Sequence, residues 1–409
     1  MALDHESTSP SDHTSDSPLV HPLQSTNSLA ALVRSGQIER VVVVGAGAAG
    51  LLTTEMLLDM AEHARRSLRV VLVDDGLYGP SVGSGGWFMP FANPDPRVER
   101  WSLDSFEMWD TVLDGAGLSR YRRRMPSVIV SNRRDRVPVP PGHAGHASPI
   151  DPEMFDLRFW ARGAYIDDGA VLSTCALMPI WRRRVAAHPS VIPETNHLTG
   201  PDDISTIAET WGADVVIVTA GPRARFLLDD DHVQGDFGVL LRGTLDRLPE
   251  MYKHIVIMDE DLDKELTYSI PHHECGHVLF GGVCGDIVEE AHEFEQIRAG
   301  NTDLSVAPDF ARTALDEVYT RIHERLPALA AALPIDPRQP GTYWFGLRPR
   351  ASRVITEWRP ATGAPMLVIG GLGGSGFTIG PGVVLDALRL PLPPECQVRP
   401  GNTKAEEED

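Results

Sequence analysis

The chain has 409 residues, enough to bury a substantial core in two domains or in one large composite one. Its 57 acidic residues against 37 basic ones give a formal net charge of −20, which speaks against nucleic-acid binding and against docking on an anionic membrane. With 42% hydrophobic and 23% charged residues, and no apolar run near the ~18 residues of a membrane span, the composition is that of a soluble globular protein.

Residues 1–27 are rich in Ser, Thr, Asp, His and Pro and lack the basic start and apolar centre of a signal peptide. They are expected to be disordered, like the acidic tail at 400–409, whose ending KAEEED matches no address signal. A cytoplasmic location follows as the expectation. IERVVVV (38–44) reads as a buried strand and LLTTEMLLDMAEHARR (51–66) as a helix, with Leu51, Leu52, Met56, Leu57 and Met60 on one face. RVVLVDD (69–75) is a second strand, completing a right-handed βαβ unit. GAVLSTCALMPIWRRRVAAH (169–188) reads as a helix whose basic end complements its own dipole, and ADVVIVTAG (213–221) as another buried strand.

Between 235 and 285 the strands shorten. HIVIMD (254–259), LTYSIP (266–271) and HVLFGGV (277–283) suggest an antiparallel sheet. MLVIGG (366–371) returns to a buried parallel strand, and PGVVLDALRL (381–390) to a helix with Pro381 near its start. The fold class is therefore α/β: a Rossmann-like domain assembled from the discontinuous segments 38–100, 160–232 and 346–392, with an inserted α+β domain formed by 101–159 and 233–345 that contains the antiparallel sheet.

VVVVGAGAAGLL places Gly45, Gly47 and Gly50 in G-x-G-x-x-G spacing, after a strand and at the start of a helix. The first glycine permits the tight turn, the second admits a pyrophosphate to the backbone, and the third lets helix and strand pack closely. Ala46 and Ala49 line the same turn, and the helix N-terminus offers N–H groups and positive dipole to phosphate. Asp74 or Asp75, ending the next strand, is placed to bind ribose hydroxyls, and Asp74 is the preferred choice. A second glycine run, GGLGGSGFT (370–378), again lies between strand and helix and leaves backbone N–H groups at Gly373, Gly374, Ser375, Gly376, Phe377 and Thr378 for a flat ligand. Glycine turns at both ends of one chain suit an extended dinucleotide such as FAD.

These motifs, in this order, resemble the D-amino-acid oxidase family of FAD-dependent amine oxidases, from about Arg40 to Leu390. SVGSGGWFMPF (81–91) is similar to the family's small-residue stretch against the flavin, which implies flavin contacts at Ser84, Gly85 and Gly86. LTYSIP resembles the strand carrying a substrate tyrosine, LFGG (279–282) its return strand, and GLRP (346–349) the family's arginine motif. The resemblance implies that Arg348 pairs with a substrate carboxylate and that Tyr268 donates a hydrogen bond to it. A guanidinium fork matches a carboxylate, a phenol adds a third donor, and apolar walls from Trp344 and Phe345 would strengthen both. Arg350 and Arg353 are read as surface charges or as contacts to ribose or phosphate.

The implied activity is oxidation of a small amino acid, with the D configuration favoured, using molecular oxygen and giving a keto acid, ammonia and hydrogen peroxide. A flavin dehydrogenase, an oxidase of a modified amino acid, and a flavin-binding protein without turnover stay open, as does a homodimer. The sequence departs from the family pattern in three places. Lys264 stands where vertebrate-type oxidases carry a lid tyrosine, Met89 where a glutamine is expected, and VIGGLGG replaces a histidine-containing approach to the glycine signature. A lysine near the entrance favours an acidic or bulky substrate.

The four cysteines are few and widely spread, and no disulfide framework is expected. PHHECGHVLFGGVC gathers His272, His273, Cys275, His277 and Cys284, but the spacing matches no standard zinc module. It is read as a solvated hairpin loop, and no metal is expected.

Overall fold

The computed structural model describes residues 25–396 except 77–78, 90–94, 134–136, 138–143, 260–264, 284, 302 and 362. The tails expected to be disordered, apart from residues 25–27, lie outside the described residues, as do Lys264, Pro90, Phe91 and Cys284. Asn27 is described, and its side chain donates to the Leu392 carbonyl at 2.9 Å.

One sheet of fourteen strands runs through the molecule. Its strands in chain order begin with β1 (Arg40–Val44), β2 (Arg69–Asp74), β3 (Ser127–Ser131), β4 (Ala147–Ile150), β5 (Arg162–Ile166), β6 (Val191–Thr195) and β7 (Val215–Val218). They continue with β8 (Gln234–Thr244), β9 (Val256–Asp259), β10 (Glu265–His272), β11 (His277–Val283), β12 (Tyr343–Arg359) and β13 (Met366–Leu372). The spatial order is β4-β5-β3-β9-β10-β11-β8-β12-β13-β7-β1-β2-β6, and the two-residue strand Ile287–Val288 pairs with β8 off this path.

The five strands from β13 to β6 are mutually parallel. Alternate residues of these strands enter opposite cores, as a pleat requires. Val41, Val43, Val70 and Leu72 face one core with α1 (Ala48–His63), α2 (Val98–Gly115), α3 (Thr174–Ala186) and α6 (Gly376–Arg389). Val42, Val44, Val71 and Val73 face another with α4 (Pro201–Trp211). The other half of the sheet is largely antiparallel and packs one face on α5 (Asp309–Arg325) through Leu315, Val318 and Ile322.

Strand β12 joins the halves. Residues 343–350 pair with β8, while Arg350 and residues 355–359 pair with β13, with a register shift between Arg350 and Ile355. The arginine motif therefore sits where the two halves of the sheet meet. No strand was expected there, because WFGLRPR lacks clean alternation and carries a proline.

Two helix boundaries differ from expectation. Residues 170–172 form a strand that pairs with 122–124, so the helix expected from 169 begins at Thr174. Helix α6 begins at Gly376, which puts Pro381 inside it rather than near its start. The carbonyl that Pro381 cannot serve, that of Phe377, accepts instead from Trp109 Nε1 at 2.7 Å. Among the described residues no helix is long and apolar enough to cross a membrane.

Helix α1 also carries Glu55, whose pKa burial pushes up to about 7. The folded chain then binds this proton more tightly than the unfolded chain. The carboxyl should lower stability progressively as pH rises from about 4.5 to about 7 and by a constant amount above that. Glu55→Gln should gain up to roughly 3 kcal/mol relative to the parent at pH 8 and little at pH 4.5, read from urea unfolding at both values. An equal difference at the two pH values would contradict this.

Candidate active site

A cavity of about 1250 Å³ opens along the carboxyl ends of β1, β2, β7 and β13 and continues beneath the antiparallel half. It exceeds the roughly 300–1,000 Å³ of typical small-molecule sites, and its position is where open α/β sheets bind ligands.

At the β1–α1 turn, Gly45 has φ +106°, and a side-chain carbon there would stand 2.6 Å from the Thr219 carbonyl oxygen. Gly45, Ala46, Gly47 and Ala49 line the cavity, and so does Asp74. Gly50 does not line it: a carbon added at Gly50 would lie 1.8 Å from the Gly45 carbonyl oxygen, so this glycine sets how closely α1 sits on the turn. Asp74 forms an ion pair with Arg182 of α3, and Asp75 accepts from Arg298 Nη2 at 2.6 Å. Arg182, Asn196, Arg223 and Arg298 complete this charged end. In the chain Arg182 falls at the basic end of a helix, and only the tertiary fold brings it to Asp74.

The second glycine run lies across the cavity. Gly373, Gly374, Ser375, Gly376, Phe377 and Thr378 all line it, with Gly376 opening α6. A side chain at Gly373 or Gly376 would meet no described atom within 4 Å, so backbone is bare to the cavity here. The ring of Phe377 turns away and packs on Trp109, centroids 5.9 Å apart. Thr378 is buried, its Oγ1 lying 3.3 Å from the carbonyls of Trp87 and Met89 and from the Met89 N–H. It ties the middle wall, which also contains Ser84, Gly85 and Gly86, to α6. Met89, placed where the family pattern has glutamine, belongs to an apolar cluster with Trp87, Leu240, Tyr268, Ile270 and Trp344.

That cluster forms the far end of the cavity. Tyr268 is 7% exposed and sits over the β10–β11 pairing, where its hydroxyl would meet any side chain at Gly281 or Gly282. Of the aromatic pair before the arginine motif, Trp344 faces Tyr268's cluster, whereas the ring of Phe345 packs with Phe237 and Tyr343 on the opposite side of the strand. Successive strand residues point to opposite faces, so although both residues line the cavity, only the Trp344 ring joins the cluster around Tyr268.

Arg348 lines the same cavity as Tyr268. Its Nη1 donates to the Phe237 carbonyl at 3.1 Å and its Nη2 to the Val283 carbonyl at 2.7 Å, with Asp236 Oδ2 3.4 Å from Nη1. Asp236 in turn accepts from the Gly285 N–H at 2.7 Å. Arg350 also lines the cavity, while Arg353 is 72% exposed beside Glu357.

Two polar atoms in the cavity wall are buried without a hydrogen-bond partner among the described residues: Ser84 Oγ and Trp344 Nε1. Buried polar groups are ordinarily satisfied. Together with bare backbone at both glycine runs and charge at one end, they fit a long, flat, polar ligand of the dinucleotide kind.

The turn between β10 and β11 is a hairpin as expected, with Glu274 and Gly276 exposed, but its base is not solvated. His272 is fully buried, with Nε2 2.8 Å from the Gly85 carbonyl, and burial lowers its pKa to about 4. Cys275 forms a disulfide with Cys175, a pairing that no sequence spacing announced.

The protein-family model described as FAD dependent oxidoreductase (DAO) matches residues 40–384. No curated protein matches the chain. Among solved structures, the chain resembles glycine oxidase from Geobacillus kaustophilus with a TM-score of 0.60 at 15% identity, covering 86% of this chain and 95% of that one. Fructosamine oxidase from Aspergillus fumigatus superposes with a TM-score of 0.61 at 17% identity over 88% of each chain. L-proline dehydrogenase from P. horikoshii gives 0.58 at 12% identity, covering 85% and 91%. These likenesses show the fold. The family match over most of the chain, with a cavity that fits the cofactor, places this protein in the FAD-dependent oxidoreductase family of D-amino-acid oxidase.

Proposed function

We propose that this protein is a cytoplasmic FAD-dependent oxidase of a small amino acid of D configuration. The observation that carries the reading is that a single cavity joins both glycine runs to Tyr268 and Arg348. FAD would lie along Gly45, Ala46, Gly47 and Ala49 at its pyrophosphate, Asp74 at its ribose, and Ser84, Gly85, Gly86 and residues 373–378 at its ring system. In this division, segments 38–100, 160–232 and 346–392 hold the cofactor and 101–159 and 233–345 the substrate. Helix α2 is the exception, since its Trp101 and Trp109 pack in the core shared with α6.

When bound, the flavin supplies a hydride acceptor for the substrate Cα–H, oxygen restores it with formation of hydrogen peroxide, and the released imine hydrolyses to a keto acid and ammonia. The chain's part is orientation. The carbonyls of Phe237 and Val283 fix the plane of the Arg348 guanidinium, leaving other N–H groups for a carboxylate. Tyr268 adds a neutral donor, and the apolar surroundings of Trp344, Ile270 and Leu240 exclude water and strengthen both bonds. Those walls suit a small or apolar side chain. An amine bound in its neutral form needs no protein base, and none is assigned.

The test is an anaerobic absorbance screen of the yellow holoprotein against D- and L-amino acids, glycine and N-methyl amino acids. Bleaching by an amino acid, with colour and peroxide returning on admission of oxygen, supports the oxidase. Bleaching by none of the panel overturns an amino-acid substrate. Recolouring only with an artificial acceptor assigns a dehydrogenase, the activity named for one structural neighbour. In the same assay Tyr268→Phe should lose about 1–3 kcal/mol in kcat/KM, the scale of a hydrogen bond to a charged group. An unchanged kcat/KM would remove Tyr268 from the site.

A further inference from the structure

The base of the β10–β11 hairpin holds a cluster that the proposed oxidation does not use. Cys275 lies in the turn after β10, and Cys175 lies in the first turn of α3, 100 residues away in sequence. Beside them is His272. The Gly85 carbonyl can only accept, so His272 Nε2 carries the ring proton and Nδ1 presents a lone pair. That lone pair is 3.6 Å from Cys175 Sγ. The two sulfurs and a ring nitrogen of His272 lie within 4.8 Å of one another.

We infer that, once the disulfide is reduced, Cys175 Sγ, Cys275 Sγ and His272 Nδ1 bind a thiophilic divalent cation, with zinc the best match. Zinc takes thiolate at roughly 2.3 Å and imidazole at roughly 2.0–2.1 Å in a tetrahedron, which sets sulfur and nitrogen about 3.6 Å apart across the metal. The observed separation of Cys175 Sγ and His272 Nδ1 is 3.6 Å. The two sulfurs must part to about 3.8 Å. The Cα atoms are already 6.7 Å apart, at the wide end of the roughly 4.4–6.8 Å range of disulfides, so side-chain rotation can supply the separation.

The Gly85 carbonyl acts as the outer partner that metal-binding histidines ordinarily have, fixing tautomer and ring plane. Cys175, in the first turn of α3, has the helix dipole to favour its thiolate. Two thiols lose their protons on binding, and water takes the fourth position. In a reducing compartment a cellular thiol reductant supplies the two electrons and two protons that open the disulfide to a dithiol, and is itself oxidised to a disulfide. The oxidised and metal-bound forms exclude each other, since each uses both sulfurs.

The experiment uses the full-length holoprotein, reduced with a dithiol reagent and desalted anaerobically. Thiol titration checks that reduction adds two thiols. Zinc is then titrated in competition with a chromogenic chelator, and cobalt(II) is added separately to look for thiolate-to-metal absorption in the near ultraviolet. One equivalent of zinc should bind to the reduced chain and none at this site to the oxidised one. Cys175→Ser, Cys275→Ser and His272→Gln should each weaken binding at least roughly tenfold, a ligand mattering no less than an outer partner. Cys396→Ser should leave binding unchanged. The inference is overturned if the reduced protein binds no zinc, if binding survives all three ligand variants, or if the disulfide opens only on unfolding. Circular dichroism of each variant separates lost binding from lost fold, and the two serine variants cover a failure of His272→Gln to fold.

Discussion

Arg348→Ala is expected to leave a folded, yellow protein with little turnover. Removing one partner of a desolvated charge pair costs about 2–5 kcal/mol, so kcat/KM should fall by roughly thirty-fold to several thousand-fold, most of it as a raised KM. The flavin should stay, because the guanidinium's hydrogen bonds go to the Phe237 and Val283 carbonyls and not to the glycine turns proposed to hold the cofactor. The alternative role is structural, and the structure gives it substance: Arg348 already bonds two carbonyls and approaches Asp236. The two roles separate cleanly in measurement. If Arg348 only braces the junction of β8 and β12, the alanine variant will unfold at lower denaturant while KM stays put. If it holds the substrate, Arg348→Lys should recover part of the lost kcat/KM, since charge returns without the planar fork.

A contrast between two glycines of the first turn has an expected effect at least as large. Gly47 lines the cavity and has room, its nearest neighbour to an added carbon being Ser81 Oγ at 3.4 Å. Gly47→Val should therefore fold and fail to retain FAD, giving a colourless protein with near-parental unfolding. Gly50 is outside the cavity, and an added carbon would lie 1.8 Å from backbone oxygen, which no side-chain rotation relieves. Gly50→Val should lose more than the roughly 1–3 kcal/mol of ordinary overpacking and yield little folded protein. A yellow Gly47→Val protein would contradict cofactor binding at this turn. A stable Gly50→Val protein would contradict the packing of α1 on β1.

Much of the parallel half was legible because its signals are local. The valine runs of β1 and β2, the glycine spacing after β1 and the glycine run after β13 each declare themselves within a dozen residues. The motif order also carried the family, since GLRP and the glycine signature keep their sequence relation whatever the tertiary detail. Strand β12 was not legible, because a residue run that serves both halves of the sheet in turn shows no single alternation. The orientation of Trp344 against Phe345 needed the strand assignment first. Pro381 inside α6 needed Trp109, more than 250 residues earlier, to take over the carbonyl it leaves unserved.

Sequence alone thus determined the class of fold, the family and the residue types available for a dinucleotide and a carboxylate, since each rests on short-range pattern and composition. Tertiary structure alone decided which of those residues share a cavity. It turned Arg182 toward Asp74, gave Arg348 its carbonyl partners and an acidic neighbour, removed Gly50 from the cavity wall, and brought Cys175 to His272 and Cys275. Apart from Gly50, which packs on Gly45 within its own turn, these pairings join segments far apart in the chain. Their distances follow from how β12 and the helices close the sheet, and no local spacing encodes them.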